Sequence, residues 1–253
     1  MEKEPELKKW IHPYIGADEF IKGKKRWCLW LKHASPKEIM ASKILSEKVE
    51  KVRQFRLSSK AKTTNGYAKV PQLFAQITQP DDVDFLIIPS VSSERRRYVP
   101  IGFATQDIIS SNAVQIVPNA TLYHFGVLTS NVHMAWMRAV CGRLKSDYRY
   151  SKEIVYNTFP WPKPTEEQKI KIEQTAQMIL NAREQYSDCS LADMYGEKMY
   201  LFPELVKAHQ DNDRAVMQAY GFTKGSEAYK SEAACVAELM KLYQKKVEEL
   251  EKR

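Results

Sequence analysis

Apolar positions recur with two different spacings along the chain, and the spacing changes near residue 160. Before that point, short apolar runs alternate with polar stretches, a pattern typical of buried strands mixed with short helices. Beyond it, apolar side chains recur every three to four residues, as they do on one face of an α-helix. The pattern predicts an α+β protein, with a mixed α/β first part followed by an all-α helical second part.

Four apolar runs in the first part predict strands, because each is short and rich in β-branched or aromatic side chains. They are Arg26–Lys32, Phe85–Ile88, Tyr98–Phe103 and Val114–Val117.

Capping signals predict helices on both sides of the change in spacing. Ser35, Pro36 and Glu38 supply an N-cap, a first-turn proline and a reciprocal capping residue. We expect this helix to run from Pro36 to about Phe55. The other predicted helices begin at Ser130, at Thr165, at Asp211 or Asn212, and at Ser226, and glycines are predicted to end two of them, at Gly142 and Gly221.

A proline-rich segment lies between the two parts. Phe159-Pro160-Trp161-Pro162-Lys163-Pro164 has three prolines in five residues, and neither a helix nor a central strand continues through such a run. We therefore predict a first domain over residues 1–158, a linker over 159–164 and a helical domain over 165–253. The apolar stripe that runs from Val236 to Leu250 is expected to pack against the chain's own helices.

Composition and charge narrow the class of protein. Hydrophobic residues make up 43% of the chain, and no apolar run approaches the roughly 18 residues that span a bilayer. Met1–Lys9 lacks the apolar stretch of a secretory signal, so we expect a cytoplasmic protein. Residues 1–162 carry 25 Lys and Arg against 15 Asp and Glu, whereas residues 163–253 carry 14 against 16. This asymmetry indicates a polyanion, such as nucleic acid, as a partner of the first part.

The sequence offers little metal or catalytic chemistry. Its four cysteines are far apart, so we expect reduced, mostly buried thiols and no metal site. Asn157-Thr158-Phe159-Pro160 only loosely resembles the Asn-Pro-Pro-Phe loop of amino-methyltransferases. We interpret Tyr156–Pro162 as a packed corner, with Phe159 and Trp161 packed between the two domains. Asp81 with Glu94-Arg95-Arg96 resembles the acidic set of Mg²⁺-dependent nucleases, but arginine is a poor substitute for their catalytic lysine.

Three basic segments carry residue types that contact DNA. If Ser92–Tyr98 is extended, Glu94, Arg96 and Tyr98 face one side while Arg95 and Arg97 face the other. Arginine can donate two hydrogen bonds to guanine and glutamate can accept one from cytosine, so the first side suits bases and the second suits phosphates. Further candidates for contact with the DNA backbone or groove are Lys60, Lys62 and Asn65, in a predicted Asn65-Gly66 loop, and Arg143, Ser146, Tyr148 and Arg149. The alternative is that these segments are solvated turns.

Several motifs, in order, resemble one family. Pro13–Phe20 followed by Arg26–Leu31 resembles the start of the target-recognition region of MmeI-like restriction-modification enzymes, which have an adenine methyltransferase core. Ser92–Pro100 resembles their base-reading segment. Similarities to the exit from that region and to the C-terminal helical domain are found in Cys141–Ser151, Tyr156–Pro162, Ser190–Tyr195, Ala208-His209 and Ala219–Phe222.

The resemblance implies sequence-specific recognition of double-stranded DNA for a type II restriction-modification DNA (adenine-N6) methyltransferase. It assigns base reading to Glu94, Arg96 and Tyr98 by family position. The family's S-adenosylmethionine site, catalytic loop and Mg²⁺-dependent nuclease precede the matching region. We therefore expect a C-terminal part of a longer protein, with no cofactor or catalytic residue of its own, whose partners are DNA and the catalytic methyltransferase domain of the same parent chain.

Other classes of function remain open from the residues alone. The helix after Ser226 could pair with another protein, which would make the chain an interaction scaffold with an incidental basic surface. Self-association without DNA would favour that scaffold. A metal-dependent nuclease and a general RNA-binding protein are further alternatives.

Overall fold

Contacts divide the chain into two compact units whose segments are interleaved along the sequence. The computed structural model describes residues 5–252. Unit 1 contains Met1–Tyr14, Lys25–Asp81 and Asp107–Ile109, and unit 2 contains Ile15–Lys24, Asp82–Gln106 and Ser110–Arg253. The predicted fold class is confirmed, because strands mixed with helices occupy the first part of the chain and helices occupy the second.

All strands in the described part of the chain are short. They are β1 Ile11–Ile15, β2 Trp27–Leu29, β3 Phe85–Pro89, β4 Val91–Ser92, β5 Gly102–Ala104, β6 Ile109–Ser110, β7 Val114–Pro118, β8 Gly142–Leu144 and β9 Asp147–Arg149. They form three-stranded sheets in the orders β2-β1-β6, β5-β3-β7 and β4-β9-β8. Strand β3 pairs antiparallel with both its neighbours, with Ile87 opposite Gly102 on one side and Ile116 on the other.

The three longest helices of the described residues lie in the second part of the chain. They are α1 Ala17–Lys22, α2 Pro36–Ala41, α3 Lys43–Leu57, α4 Lys62–Gly66, α5 Leu122–Leu128, α6 Asn131–Val140, α7 Glu166–Glu184, α8 Leu191–Met194, α9 Pro203–Ala219 and α10 Glu232–Glu251. Short 3-10 turns occur at Pro5–Trp10, Tyr67–Lys69, Met199–Leu201 and Glu227–Tyr229, and a π-helical turn at Lys152–Tyr156.

Unit 1 surrounds a small apolar cluster. Leu7, Leu31 and Leu45 are buried in it. Ser35 and Glu38 form the predicted capping box at the start of α2. The single helix expected from Pro36 to Phe55 is instead broken at Ser42, whose extended backbone ends α2 and whose hydroxyl accepts a hydrogen bond from the Leu45 amide to begin α3.

The core of unit 2 draws on both sides of the proline-rich segment. Trp136 of α6 and Ile172 of α7 are fully buried in the same cluster. Phe159 is buried with them, edge-to-face against His133 with ring centroids 4.5 Å apart. This segment packs inside unit 2, and the two compact units divide the chain differently from the predicted domains 1–158 and 165–253. Phe159 is the packed corner expected from the sequence.

Several predicted helix boundaries are wrong. Helix α9 begins at Pro203, eight residues before Asp211, because Pro203 occupies its first turn. Helix α10 begins after Ser231, whose hydroxyl accepts from the Ala234 amide, rather than after Ser226. Gly142 lies in β8 and does not end α6, whereas Gly221, with a φ of +74°, follows α9 as predicted.

The apolar stripe on α10 packs mainly against the chain itself. Leu239 is fully buried, and Tyr243 contacts Trp136 with ring centroids 5.8 Å apart. Leu250, at the end of the stripe, is exposed. The expected packing within the chain therefore holds for the first half of the helix.

All four cysteines are free, but only Cys235 is buried, so the expectation of mostly buried thiols is wrong. The other three are half-buried. Among residues 5–252 there is no cluster of three or more His, Cys, Asp or Glu side chains arranged to hold a metal ion. In the same range, no helix combines the length and apolar character needed to cross a membrane.

Gly126 lies where α5 approaches α7 and α9. A Cβ at this position would come within 2.7 Å of Ile172 Cγ2 and 3.1 Å of Asn212 Oδ1. We predict that Gly126→Ala lowers the free energy of unfolding by about 1–3 kcal/mol in urea titrations, because the packed helices must shift. The control is Gly66→Ala, also helical, where a Cβ meets nothing within 4 Å. Equal stability changes at both positions would contradict this packing.

Candidate nucleic-acid interface

The segment Ser92–Tyr98 forms a turn at the surface of unit 2. Strand β4 ends at Ser92, and the Arg96 amide then donates to the Ser93 carbonyl at 3.1 Å. Glu94 and Arg95 are exposed on this turn. The segment is therefore a turn, and the alternation of faces that an extended Ser92–Tyr98 would give does not occur.

A hairpin lies beside this turn. Arg143 on β8, Ser146 in the hairpin turn and Arg149 on β9 are exposed. Strand β9 pairs with β4, so that Ser92 lies opposite Tyr148. Lys145, with a φ of +56°, occupies the left-handed conformation in the hairpin turn. Two of the three predicted DNA-contacting segments are thus neighbours in one sheet.

Tyr148 of β9 packs under the Arg143 side chain of β8. Its ring is buried, and the Arg143 guanidinium lies 4.0 Å from the ring centroid. Arg143 Nη1 also donates to the Ser146 carbonyl at 2.8 Å. These contacts fix Arg143 over the turn of the hairpin, whereas Tyr148 itself presents little surface to a ligand.

The Arg96 side chain is half-buried in this turn, near Asp147 of the hairpin. Burial lowers the pKa of its guanidinium, and the nearby Asp147 carboxylate opposes that shift. Its Nε is buried without a hydrogen-bond partner among the described residues. An unpaired donor of this kind is costly unless a partner satisfies it, so the described residues leave hydrogen-bonding capacity of the Arg96 guanidinium unused.

Tyr98 is not available to read a base. Its side chain is 2% exposed, and its hydroxyl donates to Asp213 Oδ2 at 2.6 Å. The ring stacks on His209, with centroids 4.1 Å apart. The prediction that Tyr98 contacts base edges is corrected by this placement, because the side chain points into the core.

Lys60, Lys62 and Asn65 belong to unit 1 and are exposed. The turn expected at Asn65-Gly66 is instead the end of helix α4. Asn65 Nδ2 donates to the Leu57 carbonyl at the end of α3, at 2.8 Å, which fixes α4 against that helix. The two lysines remain on the surface, where cations suit a phosphate backbone.

A cleft of about 520 Å³ runs behind the turn. It is lined by Glu94–Tyr98, by Asn131, Ala135 and Arg138 of α6, by Met217, and by residues that precede or begin α10, namely Ala228, Tyr229, Ser231, Glu232 and Cys235. Arg138 donates through Nε and Nη2 to the two oxygens of Glu232, at 2.8 and 2.7 Å, and through Nη1 to the Arg97 carbonyl at 3.1 Å.

Arg138 and Asp213 contact the predicted base-reading segment but were not predicted as site residues. Asp213 is buried on α9, where its two oxygens accept from Tyr98 and from the Asn131 amide, the latter at 2.7 Å. Burial raises the pKa of this carboxyl to about 6, and the two hydrogen bonds oppose the shift. A signal was present, because Leu205, Ala208, His209, Asn212, Asp213 and Val216 follow the spacing of one helix face, so polar residues occupy core positions.

Of the acidic residues that resemble a nuclease site, Asp81 forms an ion pair with a lysine. Asp81, in unit 1, accepts two hydrogen bonds from Lys32 Nζ, at 2.6 and 2.8 Å, and these lower the pKa of its carboxyl. Glu94, in unit 2, is exposed on its turn. The Asp81 carboxylate is therefore paired with Lys32 and is not free to bind a metal ion.

Family models and relatives give a consistent picture. Residues 1–163 match the model described as "MmeI, target recognition domain", and residues 164–251 match "MmeI, C-terminal domain". DNA methyltransferase A of Bacillus subtilis (strain 168) is 37% identical over 246 residues, which are 97% of this chain and 27% of that protein. A structure of the Type IIL restriction-modification enzyme MmeI in complex with DNA superposes with a TM-score of 0.90 at 45% identity, over 96% of this chain and 32% of that chain. The chain thus spans about a quarter to a third of these relatives.

The raised pKa of Asp213 predicts a pH dependence of stability. A carboxyl that titrates near 3.8 when unfolded and near 6 when folded favours the folded state fully below about pH 4 and loses that contribution as the pH rises through 6. Asp213→Asn removes the titration. We expect the unfolding free energy of the original chain, relative to this variant, to fall by about 2 kcal/mol between pH 4 and pH 7 in denaturant titrations. A difference that stays constant with pH would contradict the assignment.

Proposed function

The chain belongs to the MmeI family, and from this premise we propose that it recognises a specific sequence in double-stranded DNA for a restriction-modification DNA methyltransferase. The observation that carries the proposal is the match of both its parts, in order, to the two family domains. The arrangement of unit 2 supports it, because the turn at Glu94–Arg96 and the β8–β9 hairpin display Arg and Glu side chains on one sheet.

Glu94 and Arg96 are the proposed base-reading residues. Arginine distinguishes guanine by donating two hydrogen bonds to O6 and N7, and glutamate distinguishes cytosine by accepting from its amino group. The unsatisfied Nε of Arg96 supports this role, since a bound acceptor would remove a buried, unpaired donor.

Exposed cations would hold the DNA backbone. In unit 2 these are Arg95, Arg97, Arg143 and Arg149, with Ser146 in the hairpin turn, and in unit 1 Lys60 and Lys62, beside Asn65. Phosphate contacts orient the protein on the duplex without reading sequence. Tyr148 would act indirectly by supporting Arg143.

Methyl transfer would belong to a catalytic domain of the same parent chain. S-adenosylmethionine, and Mg²⁺ if the parent cleaves DNA, would bind there. The residues around Asn157–Pro160 do not fit a site for a flipped adenine, because Phe159 is packed against His133 and Trp136. A cytoplasmic location is part of the same proposal, since the substrate is cellular or invading DNA.

Selection from a randomised duplex pool tests this function. The chain is incubated with the pool at two salt concentrations, and bound sequences are identified. We expect enrichment of a short motif and binding that weakens with salt in proportion to the number of phosphate contacts. Absence of binding at low salt, together with self-association in light scattering, would instead support an interaction scaffold.

Arg96 variants test the base-reading assignment. We predict that Arg96→Ala weakens binding to the preferred sequence by about 1–3 kcal/mol and relaxes one base position. Arg96→Lys keeps the charge but cannot donate two parallel hydrogen bonds, so it should relax the same position while preserving the salt dependence.

The matched comparison is Lys60→Ala, which should weaken all sequences equally and lower the slope of log affinity against log salt by about one. Affinities are measured by fluorescence anisotropy on the preferred duplex and its single-base variants. Uniform weakening by Arg96→Ala would overturn the assignment of Arg96.

A further inference from the structure

The C-terminal end of the base-reading turn is attached to helix α9. Tyr98 donates to Asp213 Oδ2, and the second oxygen of the same carboxylate accepts from the Asn131 amide at the start of α6. This amide is one of the N-terminal donors that a helix leaves unpaired, so a carboxylate is well suited to it. Asp213 therefore ties Tyr98 to two helices at once.

Arg97, the residue before Tyr98, is linked to helix α10 through Arg138 of α6. Arg138 Nη1 donates to the Arg97 carbonyl at 3.1 Å, while Glu232 accepts two hydrogen bonds from the same guanidinium. Because the guanidinium is planar, pairing with Glu232 fixes the direction in which Nη1 points. The Arg138 side chain is 21% exposed, so solvent competes only weakly. By contrast, Arg95 and Glu197 are 70% and 65% exposed, and their ion pair restrains little.

These two attachments act on the residues immediately after Arg96. Consecutive Cα atoms are about 3.8 Å apart, so a shift of Arg97 or Tyr98 moves the Arg96 backbone. Hydrogen bonds to a base edge tolerate only about half an ångström of variation in length. A displacement of that size is enough to change which base is preferred, even if the contacts with phosphates persist.

We propose that Asp213 and Glu232, both in the part that matches the family's C-terminal domain, are positioning residues that determine base preference without contacting DNA. Asp213 acts through Tyr98, and Glu232 acts through Arg138. This inference rests on the proposed function, because it concerns the segment assigned to base reading. It makes the helical domain a determinant of specificity in addition to any grip on the duplex.

The test uses Glu232→Gln and Tyr98→Phe. The first weakens the pairing that orients Arg138, and the second removes only the hydroxyl that binds Asp213. The matched control is Glu238→Gln on the same helix, where Glu238 pairs with Lys241 at 2.7 Å. Affinities are measured for the enriched duplex, for its variants at the base pair that Arg96 reads, and for an unrelated duplex at low salt.

We expect Glu232→Gln and Tyr98→Phe to reduce the preference for the correct base at least tenfold while affinity for the unrelated duplex changes less than twofold. The control should keep the preference. Partial unfolding lowers every affinity alike and leaves the ratio unchanged, so the ratio separates positioning from stability. An unchanged ratio in both variants, with a clear preference in the original chain, would overturn the proposal.

Hydrogen exchange provides a readout that does not depend on DNA. The Arg96 amide, bonded to Ser93, and the Val99 amide, bonded to Met134 Sδ, report on the turn directly. We expect their exchange to accelerate about tenfold in Glu232→Gln and to be unchanged in Glu238→Gln. If the original chain enriches no motif, the proposed function fails. Unchanged exchange in both Glu232→Gln and Tyr98→Phe overturns the positioning role on its own.

Discussion

A buried polar side chain destabilises a fold unless it is hydrogen-bonded, and helix α9 buries three of them on one face. His209 accepts from or donates to the Tyr195 hydroxyl at 2.7 Å, Asn212 donates to the Gly126 carbonyl at 2.8 Å, and Asp213 accepts from Tyr98 and Asn131. Each partner lies on a different element, so these requirements fix the elements around α9 in one arrangement. The rest of unit 2, including the turn that carries Arg96, depends on this set of contacts.

This arrangement suits sequence-specific recognition of DNA. The exposed groups lie on a turn and a hairpin, where side chains are free to meet a ligand, while the packed helices behind them provide rigidity. Reading a base requires accurate placement, whereas holding a phosphate does not. Arg96, half-buried next to Asp147, meets the first requirement, and the exposed Arg143 and Arg149 meet the second.

Much of the fold could be predicted from local signals. The capping box at Ser35 and the short apolar runs of β3 and β7 depend on neighbouring residues, and the sequence contains those. The break at Ser42 was not predicted, because the apolar stripe continues across it. The burial of Tyr98 was not predicted, because its hydrogen-bond partner Asp213 lies 115 positions away in the sequence. Base reading by Glu94 and Arg96 came from family position and stays a prediction.

The most direct test of the account is a cross-linking map from the turn to individual bases. Glu94→Cys is introduced after the half-buried Cys28, Cys141 and Cys189 are replaced by serine. The protein is then mixed with copies of its enriched duplex that each carry a disulfide-forming tether on one base. The account predicts an efficient disulfide at one base pair in the major groove and none at distant positions. Equal cross-linking along the whole duplex, or none at any base, would contradict reading of DNA sequence by this turn.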